Sequence, residues 1–529
     1  MDDFTSVASN DTALHLSWLR EYANRRINSS LMDARRSIPP YIVLDFGNEG
    51  LLGMQAPVSC GGLDLNNEDC MAVSIQLGAI DLNLAIFVGL HNCLGIRPIM
   101  NYSQPAIRDE LLPEVASGRK LTAFGLTEPG AGSNAGAIEG KAELMPNGNL
   151  KLNGTKIWIG NASWAGVINI FQRYYDENGK PQGIGGYVVK QGTPGLEMGP
   201  ELMTMGLRGM VQNRFTMNDL IVEPQNQLGE LGRGLDVAQD AMMYARLALG
   251  AAFLGAMKRC LQLMLRYADR RKNIATGRLL DNPISMMSLS TLTVKSQALE
   301  NLIHYISRSL DQEISLPEEF LITAKVTGSE FLWQAADSAS QMLGGRGYLE
   351  SNEVSQILRN ARVGRVFEGP TETMMYYMGS RFVLNSDVLN DFLRSHLSAG
   401  DITEQMLEAR DIVQARCKQL QAPFNLMRRV SLTNSLLGEI VSWGIIYAVT
   451  RHLEKENTED HSRVAYWAQQ KFEQSIVAAK SNSLNEFITL DPNELKELVN
   501  GYELQVGNME QQLPGEEWNL DPYLRFAAE

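Results

Sequence analysis

The chain has 529 residues, of which 44% are hydrophobic and 20% charged, and its formal net charge is −14 at pH 7. At about 150 residues per domain, this length predicts three to four domains and a core large enough for a bulky ligand. The acidic balance argues against general nucleic-acid binding, which needs a basic surface. The five cysteines, none in a CxxC pair, predict neither a disulfide framework nor a metal site.

The location of the protein is predicted from how the chain begins and from its apolar runs. Residues 1–6 are acidic and polar, without the basic start and apolar run of a secretory signal, so we expect a cytoplasmic protein. The apolar run at residues 440–449 is well short of the roughly 20 residues that span a bilayer. We interpret it as a buried helix rather than a membrane-surface helix, and we expect no membrane contact.

The periodicity of apolar residues changes twice along the chain. Leu14, Trp18 and Tyr22 recur at helical spacing, which predicts a helical first domain over residues 1–118. Short alternating runs then predict a β domain over residues 119–228. Its predicted strands are residues 149–154, which follow the Asn147-Gly148 turn, residues 167–171 and residues 186–189.

Helical spacing returns after Gly232. Long helices are predicted at residues 235–270, 286–310 and 320–342. The density of Ala, Leu and Met in residues 247–265 is typical of a buried bundle, assigned to residues 229–395. Residues 396–529 are predicted to form a helical C-terminal extension with a polar tail. It could replace part of a subunit interface, touch a membrane or cover apolar surface, and we favour the last.

A glycine-rich turn follows the first predicted strand, in Leu121-Thr-Ala-Phe-Gly-Leu-Thr-Glu-Pro-Gly-Ala-Gly-Ser-Asn134. Such a turn can bring backbone N–H groups and the hydroxyls of Thr127 and Ser133 close to a flat polar ligand or a phosphate. By itself such a turn is more often only a tight connection.

Five separated stretches, in the right order, resemble signatures of the acyl-CoA dehydrogenase family: residues 121–134, 153–161, 267–275, 341–348 and 359–372. The order helices, β domain, helices is also that family's order. The resemblance implies an α+β multidomain fold with an N-terminal helical domain, a central β-barrel-like domain and a C-terminal four-helix bundle, plus the extra helical region. It also implies FAD as the cofactor.

In that family the first two stretches hold the flavin. The resemblance implies that Thr127 bonds the flavin ring, that Ser133 lies near the FAD pyrophosphate and that Trp158 lies against the flavin. Further cofactor contacts are expected from Phe124, Leu126, Gly132, Ile159 and Gly160. The family usually has Thr or Ser where this chain has Gly160, and Asp where it has Asn134.

The third and fourth stretches are expected to hold the phosphate and adenosine parts of FAD. Arg271 falls at the position of the family's phosphate-binding arginine, and an arginine fork suits a pyrophosphate. Gln341, Gly344 and Gly345 belong to a loop that, in relatives, contacts FAD bound to a neighbouring subunit. A homodimer or homotetramer is therefore implied.

The last stretch contains Glu368, at the position of the family's catalytic base, which takes the α proton of a thioester. Some relatives carry the base on an earlier helix, where this chain has Ala245. Asn360 replaces an Asp and Pro370 a Thr of the family pattern. The remaining expected contacts are to cofactor for Thr371 and Glu372, and to substrate for Ser133, Arg246 and Gly369.

The expected reaction is FAD-dependent α,β-dehydrogenation of an acyl thioester, carried on coenzyme A or on an acyl-carrier protein. The expected electron acceptor is an electron-transferring flavoprotein or a similar partner. An acyl-CoA oxidase that passes electrons to O₂ and a non-catalytic flavin-binding homologue remain open. Nitroalkane oxidases and flavin monooxygenases of this fold generally lack a Glu in this role, so Glu368 counts against both.

Overall fold

The computed structural model describes residues 10–421, 423–456, 462–481 and 489–507. The polar start at residues 1–6 and most of the predicted polar tail lie outside these residues. An N-terminal helical layer, a β domain, a helical bundle and a helical extension follow one another along the chain.

The N-terminal layer is helical as predicted. Its helices are α1 (Asn10–Arg26), α2 (Ser29–Arg35), α3 (Pro40–Asn48), α4 (Asn67–Ile80), α5 (Leu82–Leu90), a π-helical turn (His91–Ile96), α6 (Arg97–Tyr102) and α7 (Pro105–Ala116). The π turn is held from the β domain: the side-chain amide of Asn169 donates to the carbonyls of Leu94 and Gly95, both at 2.9 Å. Such turns leave backbone carbonyls unpaired, and Asn169 satisfies two.

Among the described residues, eight strands form one mixed sheet in the order β6-β7-β3-β2-β4-β5-β8, with β1 also paired to β4. They are β1 (Leu121–Gly125), β2 (Lys141–Leu144), β3 (Leu150–Gly160), β4 (Ala165–Tyr175), β5 (Pro181–Lys190), β6 (Leu196–Glu201), β7 (Gln212–Val222) and β8 (Gln227–Leu228). The pairs β1–β4 and β2–β4 are parallel and the other pairs antiparallel. The predicted β domain is confirmed as this sheet.

The bundle contains the long helices predicted from the apolar spacing. They are α8 (Gly234–Arg270), α9 (Pro283–Asp311) and α10 (Glu318–Leu343), followed by α11 (Glu353–Gly364) and α12 (Thr371–Leu384). A short hairpin of β9 (Lys272–Asn273) and β10 (Gly277–Arg278) joins α8 to α9. The loop between α11 and α12 contains Glu368, and α8 and α10 flank it.

The extension is helical and packs on the bundle. Its helices are α13 (Asp387–Leu397), α14 (Gly400–Gln419), α15 (Leu426–Glu456), α16 (Ser462–Lys480), α17 (Pro492–Gly501) and α18 (Glu503–Val506). α15 lies along α12 and also contacts α9 and α10. Gly379 and Gly438 allow this approach, because a Cβ at either position would collide with a backbone carbonyl of the facing helix, at Asn434 and Met375. The extension therefore covers apolar surface, as we favoured.

Three helical stretches of the described residues are long and apolar enough to cross a membrane, judged by length and composition: Leu82–Tyr102, Gly234–Arg270 and Leu426–Lys455. The run at residues 440–449 is thus the centre of a longer apolar helix. The length of this helix was underestimated because the prediction rested on the ten residues of the run alone. In the fold, 78%, 72% and 67% of the most apolar windows of these stretches are buried. Ile440, Ile445 and Val449 are fully buried, in agreement with the predicted buried helix.

Candidate active site

Trp158 lies on the β domain with its indole uncovered. Its side chain is 64% exposed and its backbone φ is +56°, at a place where the pairing of β3 with β7 shifts register. The left-handed backbone turns the indole out of the sheet, at a typical cost of about 1–2 kcal/mol for a non-glycine residue. A large, exposed and strained aromatic residue suits a surface against which a flat ligand stacks.

Thr127 is fixed beside this strand, because its carbonyl accepts the N–H of Ile157 at 3.0 Å. Gly132 and Ser133 are exposed in the turn that follows, so their backbone and hydroxyl groups are accessible. The side chains of Leu126 and Ile159 are instead 7% and 3% exposed and belong to the cores of the β domain. These two positions can therefore offer mainly backbone atoms to a ligand.

Gly160 occupies a crowded place. A Cβ there would stand 3.3 Å from Cε of Met210, 3.5 Å from Nε2 of Gln212 and 3.6 Å from Cδ1 of Leu90. The first distance is tighter than usual and the other two are ordinary van der Waals contacts, so a side chain here would require Met210 to shift by a few tenths of an ångström. Only the backbone of Gly160 is left to contact a ligand.

Arginines line a concave surface at the end of α8. A cavity of about 440 Å³ is bordered by Leu263, Arg266, Tyr267, Arg270, Arg271 and Arg346. Arg346 belongs to the 3-10 turn Gly344–Tyr348 that ends α10, so the structure brings the predicted Arg271 and the predicted loop together. Gly344 has φ +58°, and nothing lies within 4 Å of a Cβ placed on it or on Gly345. Four guanidinium groups make this surface suited to a phosphate or pyrophosphate.

Glu368 stands in the loop between α11 and α12 with a left-handed backbone, φ +51°, followed by Gly369 at φ +90°. Part of the residue remains accessible, but its Oε2 is buried without a hydrogen-bond partner among the described residues. Burial raises the pKa of the Glu368 carboxyl, while the charges of Arg246 and Lys325 act against that rise. A buried carboxylate with one oxygen left unpaired is suited to accept a proton from a bound molecule.

Apolar side chains adjoin this carboxylate. Phe124 packs in one cluster with Leu94, Ala241 and Ala245, and its ring centroid is 4.9 Å from that of Phe171. Cys93 borders the same cluster, and burial, reinforced by the charge of Glu368, raises the pKa of its thiol to about 12. The predicted cofactor residue Phe124 is thus part of an apolar cluster that Cys93 connects to the surroundings of Glu368. Ala245 is buried here and offers no base.

The other residues predicted around Glu368 differ in their contacts. The hydroxyl of Thr371 donates to Oε1 of Glu330 at 2.8 Å, so it serves the loop rather than a ligand. Glu372 is exposed. The guanidinium of Arg246 donates from Nη1 to Sδ of Met243 at 3.1 Å, and its Nε is buried without a partner among the described residues.

The departure at Asn360 also has a structural role. Its Oδ1 accepts the N–H of Leu207 at 2.7 Å, which ties α11 to the β domain.

Sequence reasoning missed several residues that the structure brings to these places. Lys325 and Glu330 of α10 contact the Glu368 loop, and Arg266, Arg270 and Arg346 join Arg271. Lys325 had a visible signal, a lysine that follows the mainly apolar residues 320–324 at the start of a predicted helix. Arg266 and Arg270 stand just before Arg271 at the end of the same helix, whereas Arg346 was not predictable, because it joins them only when the ends of α8 and α10 come together.

The chain matches family models over most of its length. Residues 10–119, 123–220 and 232–382 match the N-terminal, middle and C-terminal domains of acyl-CoA dehydrogenase, respectively. The very long-chain specific acyl-CoA dehydrogenase of Rattus norvegicus mitochondria is 28% identical over 337 residues, covering 62% of this chain and 51% of the rat protein. An acyl-CoA dehydrogenase of Bacillus subtilis is 27% identical over 356 residues, covering 67% of this chain and 93% of that protein.

The chain spans about half the length of the very long-chain relatives that it matches. Among solved structures, an acyl-CoA dehydrogenase from Bacillus anthracis complexed with FAD superposes with a TM-score of 0.77 at 20% identity. The match covers 94% of this chain and 91% of that one, so the similarity in fold reaches into the extension. With all three domain models matched in order, this chain belongs to the acyl-CoA dehydrogenase family.

Proposed function

We propose that the chain is an FAD-dependent dehydrogenase that removes two hydrogens from the α and β carbons of an acyl thioester, with Glu368 as the base. The observation that carries the proposal is the Glu368 carboxylate, buried with Oε2 unpaired beside the apolar cluster around Phe124. Bound to such a site, FAD would accept the hydride of the β carbon, a reaction that no side chain performs.

The residues present fit FAD. The exposed indole of Trp158 offers a face to a flat ring, and the accessible Gly132 and Ser133 offer donors beside it. The arginine-lined cavity has the charge that a pyrophosphate needs. In relatives the loop at residues 341–348 contacts FAD bound to a neighbouring subunit, and in this chain Arg346 of that loop lines the cavity beside Arg271. We therefore also propose a homo-oligomer.

Glu368 would act by taking the α proton on Oε2. An α C–H beside a thioester is a weak acid, so negative charge on the carbonyl oxygen must be stabilised as the proton leaves. The backbone N–H of Glu368 is the donor that this chain would contribute. The apolar residues around Phe124 keep water away from the reacting carbons, which strengthens both interactions.

The test is an anaerobic visible titration of the purified protein with short, long and branched acyl-CoAs and with matching acyl-carrier thioesters. We expect one class to bleach the flavin, which would show the dehydrogenase half-reaction and name the carrier. Reoxidation by electron-transferring flavoprotein or by O₂ then separates a dehydrogenase from an oxidase. A protein that does not take up FAD would contradict the proposal. The cytoplasmic location stays a prediction.

Changing Arg271 to Ala is expected to weaken FAD binding about tenfold or more, because a charge-assisted hydrogen bond contributes about 1.5–3 kcal/mol. The measurement is the FAD dissociation constant of the refilled apoprotein. Arg278→Ala is the matched control, since Arg278 is nearby and exposed but paired with Asp269 and Asp281. Equal affinity in the two variants would remove Arg271 from the site.

A further inference from the structure

The backbone at Glu368 needs support from outside its own loop. Glu368 and Gly369 are consecutive residues with positive φ, and only the second is a glycine. A left-handed non-glycine residue persists where surrounding contacts determine its conformation. These contacts come from Lys325 and Glu330 of α10.

α10 holds the loop at three points. Oε1 of Glu330 accepts from Nε of Arg365 and from the hydroxyl of Thr371, both at 2.8 Å, so it fixes the loop before and after Glu368. Between these points, Nζ of Lys325 donates to the carbonyl of Gly369 at 2.6 Å. The residue next to Glu368 is thus anchored by a lysine.

Lys325 is unusual in its surroundings. The residue is 0% exposed, and a buried ammonium is costly unless opposite charges lie near it. Carboxylates that act on it are those of Glu368, Glu330 and Glu372, with Arg246 opposing them. Burial lowers the pKa of Lys325 to about 8, and the charge of Glu368 is the strongest influence that works against this. Lys325 is therefore still mainly protonated at neutral pH.

Charged and titratable groups face Glu368 from three elements. Arg246 comes from α8, Lys325 from α10 and the thiol of Cys93 from the π turn. Of the two cations, Lys325 also has a hydrogen bond to the loop of Glu368, and within the described part of the chain Arg246 has none to it. Position and charge are thus supplied by the same group.

We propose that Lys325 is a positioning residue for Glu368: its ammonium anchors the Gly369 carbonyl and, together with Arg246, supplies positive charge that favours the ionised form of the neighbouring carboxylate. The inference deepens the proposed function, since it rests on Glu368 acting as a base. An ionised carboxylate is the form that accepts a proton, so removal of the ammonium should make Glu368 hold its proton to a higher pH.

The first test needs no substrate. The infrared carboxyl band that disappears in Glu368→Gln is followed against pH in the full-length protein and in Lys325→Gln, which keeps an N–H donor but loses the charge. We expect the titration midpoint to rise by about one pH unit or more, because a nearby opposite charge typically lowers a carboxyl pKa by about 1–3 units. Lys325→Arg should restore the midpoint. An unchanged midpoint in Lys325→Gln would overturn the inference.

The second test uses the rate of flavin reduction against pH. In Lys325→Gln the acid limb should move upward with the infrared midpoint, whereas Glu330→Gln should slow the reaction without an upward shift, because it loosens the loop and removes no cation. Lys258→Gln is the matched control, since it breaks the ion pair with Glu300 elsewhere in the bundle. An equal upward shift in Glu330→Gln would overturn the role of the charge.

The two proposals fail in different ways. If no thioester bleaches the parent protein, the proposed function fails, and the infrared titration still decides whether Lys325 controls Glu368. If the parent is bleached and Lys325→Gln titrates like the parent, the function stands and the inference fails. Should Lys325→Gln not fold, Lys325→Met and Lys325→Arg give the same comparison of neutral and charged side chains.

Discussion

Flavin reduction by substrate is expected to fall about 10²- to 10⁴-fold when Glu368 is changed to Gln, the range that a positioned general base contributes. The amide keeps the size of the side chain but cannot take the α proton. FAD content should stay at the parent level, because the residues proposed to bind the flavin and its phosphates lie elsewhere. The measurement is the single-turnover rate of bleaching under anaerobic conditions with saturating substrate.

Glu313→Gln is the control for this change. Glu313 is also a non-glycine residue with positive φ, at +57°, but it is exposed in the loop between α9 and α10. We expect its rate to equal that of the parent. Bleaching of Glu368→Gln at the parent rate would refute the assignment of the base and favour a group outside the family pattern.

The second large effect is expected on stability, from Glu128 in the glycine-rich turn. Glu128 is 6% exposed and Lys156 0%, and their Oε1 and Nζ are 2.7 Å apart. Glu128 also accepts the N–H groups of Glu139 and Gly140. Changing Glu128 to Leu leaves an ammonium and two N–H groups buried without these partners, and removing one member of a buried pair typically costs about 3–5 kcal/mol.

This loss should appear in hydrogen exchange of strands β3 and β4, which reports local opening free energy. Lys156→Met added to Glu128→Leu should recover part of the loss, because the unpaired ammonium is then gone. Glu110→Leu is the matched control: it breaks a Glu–Lys pair with Lys190 that is about half exposed, where less than about 1 kcal/mol is expected. Equal losses in Glu128→Leu and Glu110→Leu would refute a special role for the buried pair.

The sequence predicted the elements better than it predicted their contacts. The long helix expected at residues 235–270 is Gly234–Arg270, and the strand expected at residues 149–154 extends to Gly160. Apolar spacing reports which face of an element is buried, so such bounds follow from local pattern. The part of β3 that was not predicted, residues 155–160, contains the register shift at Trp158. This shift arises from the pairing of β3 with β7, so the sequence around Trp158 does not reveal it.

The candidate site was predictable only as a set of residue positions. Glu368, Trp158 and Arg271 followed from resemblance, but the resemblance did not separate side-chain from backbone contacts at Leu126, Ile159 and Thr371. That distinction depends on which way each side chain points after folding. The contact between Lys325 and Gly369 joins residues 44 positions apart, and no short stretch of sequence contains it.

The packing of α15 on α12 ties the extension to the active site. α12 begins at Thr371, three residues after Glu368, and its Gly379 lies against the backbone of α15. A shorter chain that ended near residue 395 would expose this face of α12 to water. The Glu368 loop ends where α12 begins, so a less firmly packed α12 would hold the loop less firmly. Residues beyond 425 would then matter for catalysis without touching substrate. A substitution in α15 that disturbs its packing on α12 is thus expected to slow proton removal by Glu368, although it lies far from Glu368 in sequence.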